Sequence, residues 1–167
     1  KAIEVGKELQ NFNVFQFEQP VHVTMLNEMN IIQNELEINI SSGECCYTVP
    51  DFIELIEKGS PDIIQPDAIK TGGITEFNKI VSELILRNQT IMIHNTQPLI
   101  STSIHMNFLS ANPNLKLPLE YNIEPNSLLD NPIVEENFNI TEGQIEIPDK
   151  VSYGLDFNLD EMKKRCN

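Results

Sequence analysis

The stretch Ile63–Glu76, IIQPDAIKTGGITE, decides how the chain is read. Ile63 and Ile64 follow Asp62 as a short β-branched run, the pattern of a buried strand. Gln65, Pro66 and Asp67 are polar and stand where that strand would end. Gly72 and Gly73 permit a tight turn, and Thr75 offers a hydroxyl cap for a helix through Ile80 to Leu86. A buried strand that ends in a carboxylate and turns through glycine into a helix is how α/β enzymes present a functional side chain. Taken alone, the stretch suits a plain strand-to-helix loop equally well, with Asp67 solvated or capping the turn. The pattern, however, recurs.

Outward from that stretch, hydrophobic periodicity predicts helices over Ala2–Gln10, Thr24–Asn34, Val49–Lys58 (closed by Gly59 as a C-cap) and Leu99–Ala111. It predicts strands over Val14–Phe17, Glu37–Ile40, Ile91–Ile93 and Leu115–Leu119, the last broken by Pro118. Alternating strands and helices imply a parallel sheet with helical crossovers, an α/β fold. Five ionisable residues follow the strand ends: Glu18, Glu44, Asp67, His94 and Glu120, at intervals of 26, 23, 27 and 26 residues. A near-constant period with a titratable group at each strand end is expected of a (β/α) barrel. A doubly wound sheet gathers its ligands at one switch point and has no need of it. After Glu120 the pattern changes. Tyr121–Pro132 reads as loop, Phe138–Ile147 as a β-hairpin about Glu142-Gly143, and Asp160–Lys164 as a short helix. The expected organisation is a partial barrel over residues 1–137 and a C-terminal segment over 138–167.

The chain has 167 residues, 40% of them hydrophobic, which is enough for one domain with a core. Its net charge of −14, from 25 acids against 11 bases, argues against nucleic acid or an anionic membrane surface as partner. An anionic small substrate remains compatible if a bound cation inverts the local field. No apolar run is long enough for a transmembrane helix, and the opening KAIEVGKELQNF lacks the continuous apolar core of a signal peptide. Cys45, Cys46 and Cys166 form neither a disulfide framework nor a zinc-binding spacing, so a reducing cytoplasm is the simpler context.

In a barrel the five strand-end groups would converge on one mouth, where several carboxylates need a cation or a proton to offset their repulsion. Glu18 and Glu44, on adjacent strands, offer hard oxygen ligands suited to Mg²⁺. Asp67 and His94 pair a carboxylate with an imidazole, which fixes the tautomer and raises basicity. Glu120, in a crowded acidic site, could stay protonated and donate a hydrogen bond. Singly, a strand-end Glu is most often a surface residue and a lone His is more often structural than catalytic. His22 and His105 are accordingly assigned to structure, and Met106, Phe108 and Leu109 to the core. Cys45 could line the pocket, but nothing in its neighbourhood activates a thiolate.

The ordered set FEQP (Phe17–Pro20), SGE (Ser42–Glu44), DIIQPDAIKTGGITE (Asp62–Glu76), IHN (Ile93–Asn95) and LEY (Leu119–Tyr121) resembles the enolase superfamily, in its mandelate racemase and muconate lactonizing branch. GQIEIPD (Gly143–Asp149), followed by Tyr153-Gly154-Leu155, extends the resemblance over essentially the whole chain. It implies about strands 4 to 8 of a TIM-type (β/α)7β barrel, with 138–167 returning toward a capping domain not present in this sequence. It further implies that Glu18 and Glu44 bind Mg²⁺, that Asp67 and His94 form the acid–base dyad, and that Glu120 hydrogen-bonds the substrate carboxylate and its enediolate. The implied activity is abstraction of the α-proton of a carboxylate, with acid-sugar dehydration as the leading outcome. Lactone cycloisomerisation or racemisation by the same residues is the alternative, and a non-catalytic structural half-barrel is the rival of another class. Two departures from the family stand out. Gln19 replaces the usual second Glu of Glu-Glu-Pro, and the sequence opens past the strands that carry a Lys-X-Lys motif and the first metal-binding Asp. The implied partners are an acid-sugar substrate, the missing N-terminal half, and further copies of the chain in a homo-oligomer.

Overall fold

The computed structural model of the protein describes residues 1–124, 133–134, 138–150 and 153–165. These divide into two compact units, Lys1–His94 and Asn95–Asn167.

In the first unit, strands β1 (Gln16–Glu18), β2 (Asn39–Ser42), β3 (Ile63–Ile64) and β4 (Thr90–Ile91) form one parallel sheet in the order β1-β2-β3-β4. The order follows the chain and never reverses, so the sheet has no switch point of the doubly wound kind. Helices α1 (Ala2–Leu9), α2 (Leu26–Glu35), α3 (Val49–Glu54) and α4 (Ile74–Leu86) alternate with the strands. Register places Glu18 beside Ser41, Ser41 beside Ile63, and Ile63 beside Thr90, so these side chains share a face. The intervening residues Ile40, Ile64, Ile91 and Ile93 are buried on the other face. On the helices, Met29 and Ile32 of α2 and Phe77, Ile80, Val81 and Leu84 of α4 are buried at helical spacing. Each such side chain stabilises the fold by about 1.5–3 kcal/mol.

Several expected elements differ in detail. The helix after the glycine turn begins at Ile74 with Gly73 at its N-cap, φ 106°, and Thr75 makes no cap. A backbone that L residues avoid brings the chain into the first turn directly, and the Gly73 carbonyl accepts the Phe77 N–H at 3.0 Å. The helix expected over Val49–Lys58 is α-helical only to Glu54 and continues as a π turn, Leu55–Gly59. Its left-handed closing residue is Ser60, φ 48°, rather than Gly59. Gly59 is instead packed closely, since a Cβ there would meet the side chains of Leu55 at 3.2 Å and of Leu26 and Met29 at 3.4 Å.

In the second unit, α5 spans Ile100–Ala111, and β5 (Ile140–Thr141) pairs antiparallel with β6 (Gln144–Ile145). Glu142 and Gly143 both have positive φ, as a tight hairpin turn of this hand requires. Helix α6 runs Leu159–Arg165. The strand expected over Leu115–Leu119 is not formed. Pro118 has no N–H to give a ladder, and Glu120 is held by a side chain instead, as set out below. The loop expected over Tyr121–Pro132 lies outside the described residues from position 125 onward. Among the described residues no helix is long and apolar enough to cross a membrane.

Gly43 is the tightest backbone position of the sheet. Its φ is 134°, and a Cβ there would meet the Gln65 backbone nitrogen at 2.9 Å. Gly43→Ala is expected to lower the unfolding free energy by about 1–3 kcal/mol, the scale of a forced backbone outlier. Urea denaturation measures this, and a loss below about 0.5 kcal/mol, within the range of ordinary surface changes, would show that the close approach relaxes freely.

Candidate active site

Three of the five predicted residues meet in the first unit. His94 is 1% exposed and lies between two carboxylates: its Nδ1 is 2.9 Å from Asp67 Oδ2 and its Nε2 is 2.9 Å from Glu44 Oε2. The strands explain the placement. The His94 N–H donates to the Pro66 carbonyl at 3.1 Å, which extends the β3–β4 ladder to the residue before Asp67. Asp67 and His94 both continue the phase of Ile63 and Thr90, two residues per step, and so reach the same face. Asp67 is oriented by its own loop: Oδ1 accepts the Ile69 N–H at 2.8 Å, and its carbonyl accepts both the N–H and the hydroxyl of Thr71 at 3.0 and 2.9 Å.

Glu44 reaches this cluster by a different route. Strict alternation from Ser41 would put Glu44 on the opposite face, with Ser42. The positive φ of Gly43 resets the phase, and Glu44 turns to His94. Glu44 is followed by the one short interval of the series, 23 residues to Asp67. Glu44 Oε2 also accepts from Lys70 Nζ at 3.1 Å, and Oε1 lies 3.9 Å from the Cys45 thiol. Burial alone would push the Glu44 carboxyl up, but the Lys70 hydrogen bond and charge, His94 and Cys45 together outweigh it and hold the group below the usual carboxylate range. Burial, then the Glu44 charge, push the Cys45 thiol up. Burial pushes Cys46 up to about 12. Both thiols are thus protonated near neutrality and are not nucleophiles.

Glu18 ends β1, exposed and in register with Ser41, and among the described residues no hydrogen bond joins it to the cluster. Gln19 closes the strand with φ 40°. Its amide donates to the Val21 carbonyl and its Oε1 accepts the Ser42 hydroxyl, both at 2.7 Å. A Glu in the same place could accept from Ser42 but could not donate to the carbonyl, so the amide suits this position. Glu120 lies in the second unit, where its Oε2 accepts the Asn95 N–H at 2.9 Å. Of the histidines set aside, His22 is exposed against Thr24, and His105 is buried in a hydrogen-bonded network.

Among the described residues, no group of three or more His, Cys, Asp and Glu is arranged to hold a metal ion. Glu18 and Glu44 have the right hard oxygen atoms, but Mg²⁺ favours a near-octahedral set that two carboxylates do not define. Glu44 is moreover bonded to Lys70 and His94. The residues of this chain do not by themselves fit the ion.

The profile of the family described as enolase C-terminal domain-like matches residues 1–162. The chain belongs to this family. Its parallel sheet is accordingly part of the enolase-type barrel, the C-terminal portion. Within the family it is 30% identical to arabinonate dehydratase of Saccharolobus solfataricus, over 92% of this chain and 40% of that protein. It is 27% identical to L-talarate/galactarate dehydratase of Salmonella typhimurium, over 98% of this chain and 38% of that protein. Its fold superposes on the crystal structure of 3,6-anhydro-D-galactonate cycloisomerase from Zobellia galactanivorans with a TM-score of 0.87 at 29% identity, covering 98% of this chain and 46% of that one. The chain thus spans about two fifths of the length of the curated relatives it matches.

Lys70 was not singled out from the sequence, although its position three residues after Asp67 in the same loop was a signal. Its pairing with Glu44 has a pH signature. A carboxyl whose folded value is lowered adds stability above its unfolded value and loses it as pH falls through the folded one. Lys70→Met should therefore be less stable than the parent at about pH 7, with the gap closing toward about pH 3 as Glu44 is protonated. Urea midpoints across that range measure it. A gap that stays constant with pH would show that the ion pair contributes nothing.

Proposed function

We propose that the chain carries the acid–base residues of an enzyme that removes the α-proton of a sugar-acid carboxylate and completes a dehydration. The observation that supports this best is the buried imidazole of His94 held at Nδ1 by Asp67 at 2.9 Å. Asp67 keeps the proton on Nδ1, so Nε2 is the nitrogen that accepts a proton from carbon and later returns it. The imidazolium formed in between is stabilised by the Asp67 carboxylate. Returned to the departing β-hydroxyl, that proton leaves as part of water, and the proton balance closes. Glu120 is proposed to bind the substrate carboxylate.

Imidazole alone is far too weak a base for a carboxylate α-proton, and the enediolate carries a second negative charge. Glu18 and Glu44 are proposed as two ligands of the magnesium ion that the family resemblance implies. The remaining ligands are proposed to come from an N-terminal half of the barrel, which would also cover the sheet face shared by Glu18 and Ser41. Cycloisomerisation is a second reading, favoured by the likeness to the Zobellia cycloisomerase. The reducing cytoplasm remains the proposed setting, in keeping with free Cys45 and Cys46.

The test is a panel of acid sugars (arabinonate, xylonate, gluconate, galactonate and galactarate) given to the full-length protein. A keto-acid product with loss of water is expected, and product without that loss would replace dehydration by the second reading. His94→Asn should lower turnover by at least ~10²-fold, the scale of general acid–base catalysis, measured well below its melting point, because removing a partner of the buried Asp67 also lowers thermal stability. An active His94→Asn variant would remove the imidazole from the mechanism. The chain by itself should show no turnover and only weak Mg²⁺ binding by calorimetric titration. Tight binding by the isolated chain would overturn the proposed division of the ligands between two halves.

A further inference from the structure

We propose that Asn95 is the positioning residue of Glu120, and that a hydroxyl–imidazole cluster on α5 sets the orientation of its amide. The inference rests on the reading of Glu120 as the group that meets the substrate carboxylate.

Glu120 follows a segment without a strand ladder, so main-chain pairing does not fix its position. Asn95 replaces that ladder with two bonds. Its N–H donates to Glu120 Oε2 and its side-chain Nδ2 donates to the Glu120 carbonyl, each at 2.9 Å. One residue thus holds both the carboxylate and the backbone of Glu120.

Asn95 is 0% exposed, and every hydrogen-bonding site of its amide is used. Nδ2 gives its second hydrogen to Thr102 Oγ1 at 3.0 Å. Oδ1 accepts the Ser101 hydroxyl at 2.8 Å and faces His105 Nδ1 at 3.0 Å. The orientation is determined by chemistry. A carbonyl oxygen can only accept, so the Asn95 atom facing the Glu120 carbonyl must be the NH₂ group. The opposite end is then an oxygen, and His105 must carry its proton on Nδ1 to meet it. Ser101, Thr102 and His105 lie on one stretch of α5, at positions i, i+1 and i+4. A residue set aside as structural from the sequence, His105, thereby sets the amide that holds a proposed substrate-binding group.

The experiment is a double-mutant cycle in the full-length protein, assayed with the panel sugar that it turns over fastest. Asn95→Ala should lower kcat by about 10-fold or more with KM changed less, the expected result of misplacing a group that acts in the transition state. Asn95→Ala combined with Glu120→Gln should lose no more than Glu120→Gln alone, because Asn95 acts only through Glu120. Additive losses would make Asn95 merely structural and overturn the proposal. NMR supplies a readout independent of turnover. His105 should show a protonated Nδ1, and both this signal and the Glu120 backbone carbonyl carbon, which loses the Nδ2 donor, should shift in Asn95→Ala. If those resonances move but Glu120→Gln leaves turnover unchanged, the reading of Glu120 fails while the clamp stands. If His105 lacks a proton on Nδ1, or the Glu120 backbone carbonyl carbon does not move, the clamp itself is wrong.

Discussion

A buried imidazole must find a partner for each ring nitrogen, and the first unit is arranged around that requirement. Two carboxylates 2.9 Å from the ring of His94 meet it. Asp67 fixes one ring nitrogen and Glu44 faces the other, so the ring is oriented from both sides. Neither carboxylate could stand there without the parallel register. β3 and β4 run in phase, so Asp67 and His94 emerge on the same face. β2 is out of phase at that level, and Gly43 corrects it with a backbone conformation that a side chain would resist. The left-handed glycine, the SGE motif and the short interval before Asp67 are one feature seen at three levels.

Much of this was legible in the sequence because it depends on period. The alternation of strands and helices follows from apolar spacing, and four of the five strands formed within a few residues of where they were expected. The pairing of Asp67 with His94 follows from adjacent strand ends. What was not legible depended on local geometry. Period cannot distinguish a π turn from an α turn, so Leu55–Gly59 was read as plain helix. A strand was expected around Pro118 in spite of the proline, and the missing amide prevailed over the apolar spacing. Lys70 was passed over because a lone Lys in a loop looks like solvated charge until Glu44 is found 3.1 Å away.

The electrostatics extend the same point. A net charge of −14 describes the whole sequence, yet the site is locally balanced. Glu44 is set against Lys70 and His94, and Asp67 against His94 and the Ile69 N–H. An acidic protein can therefore hold its carboxylates close together without a uniform negative field at the point where an anionic substrate would arrive.

The face of the sheet that carries Glu18 also carries Ser41 and, one step beyond Ile63, Gln65. Among the described residues, Ser41 Oγ, both polar atoms of the Gln65 amide and Gln16 Oε1 are buried with no hydrogen-bond partner. Such groups each cost about 1–3 kcal/mol when left unmatched. These atoms already lie beneath the protein's own surface, so nothing that later meets the sheet reaches them without a rearrangement below. They mark a fault line in the sheet, the layer where a small shift of the backbone or one trapped water would relieve the most energy.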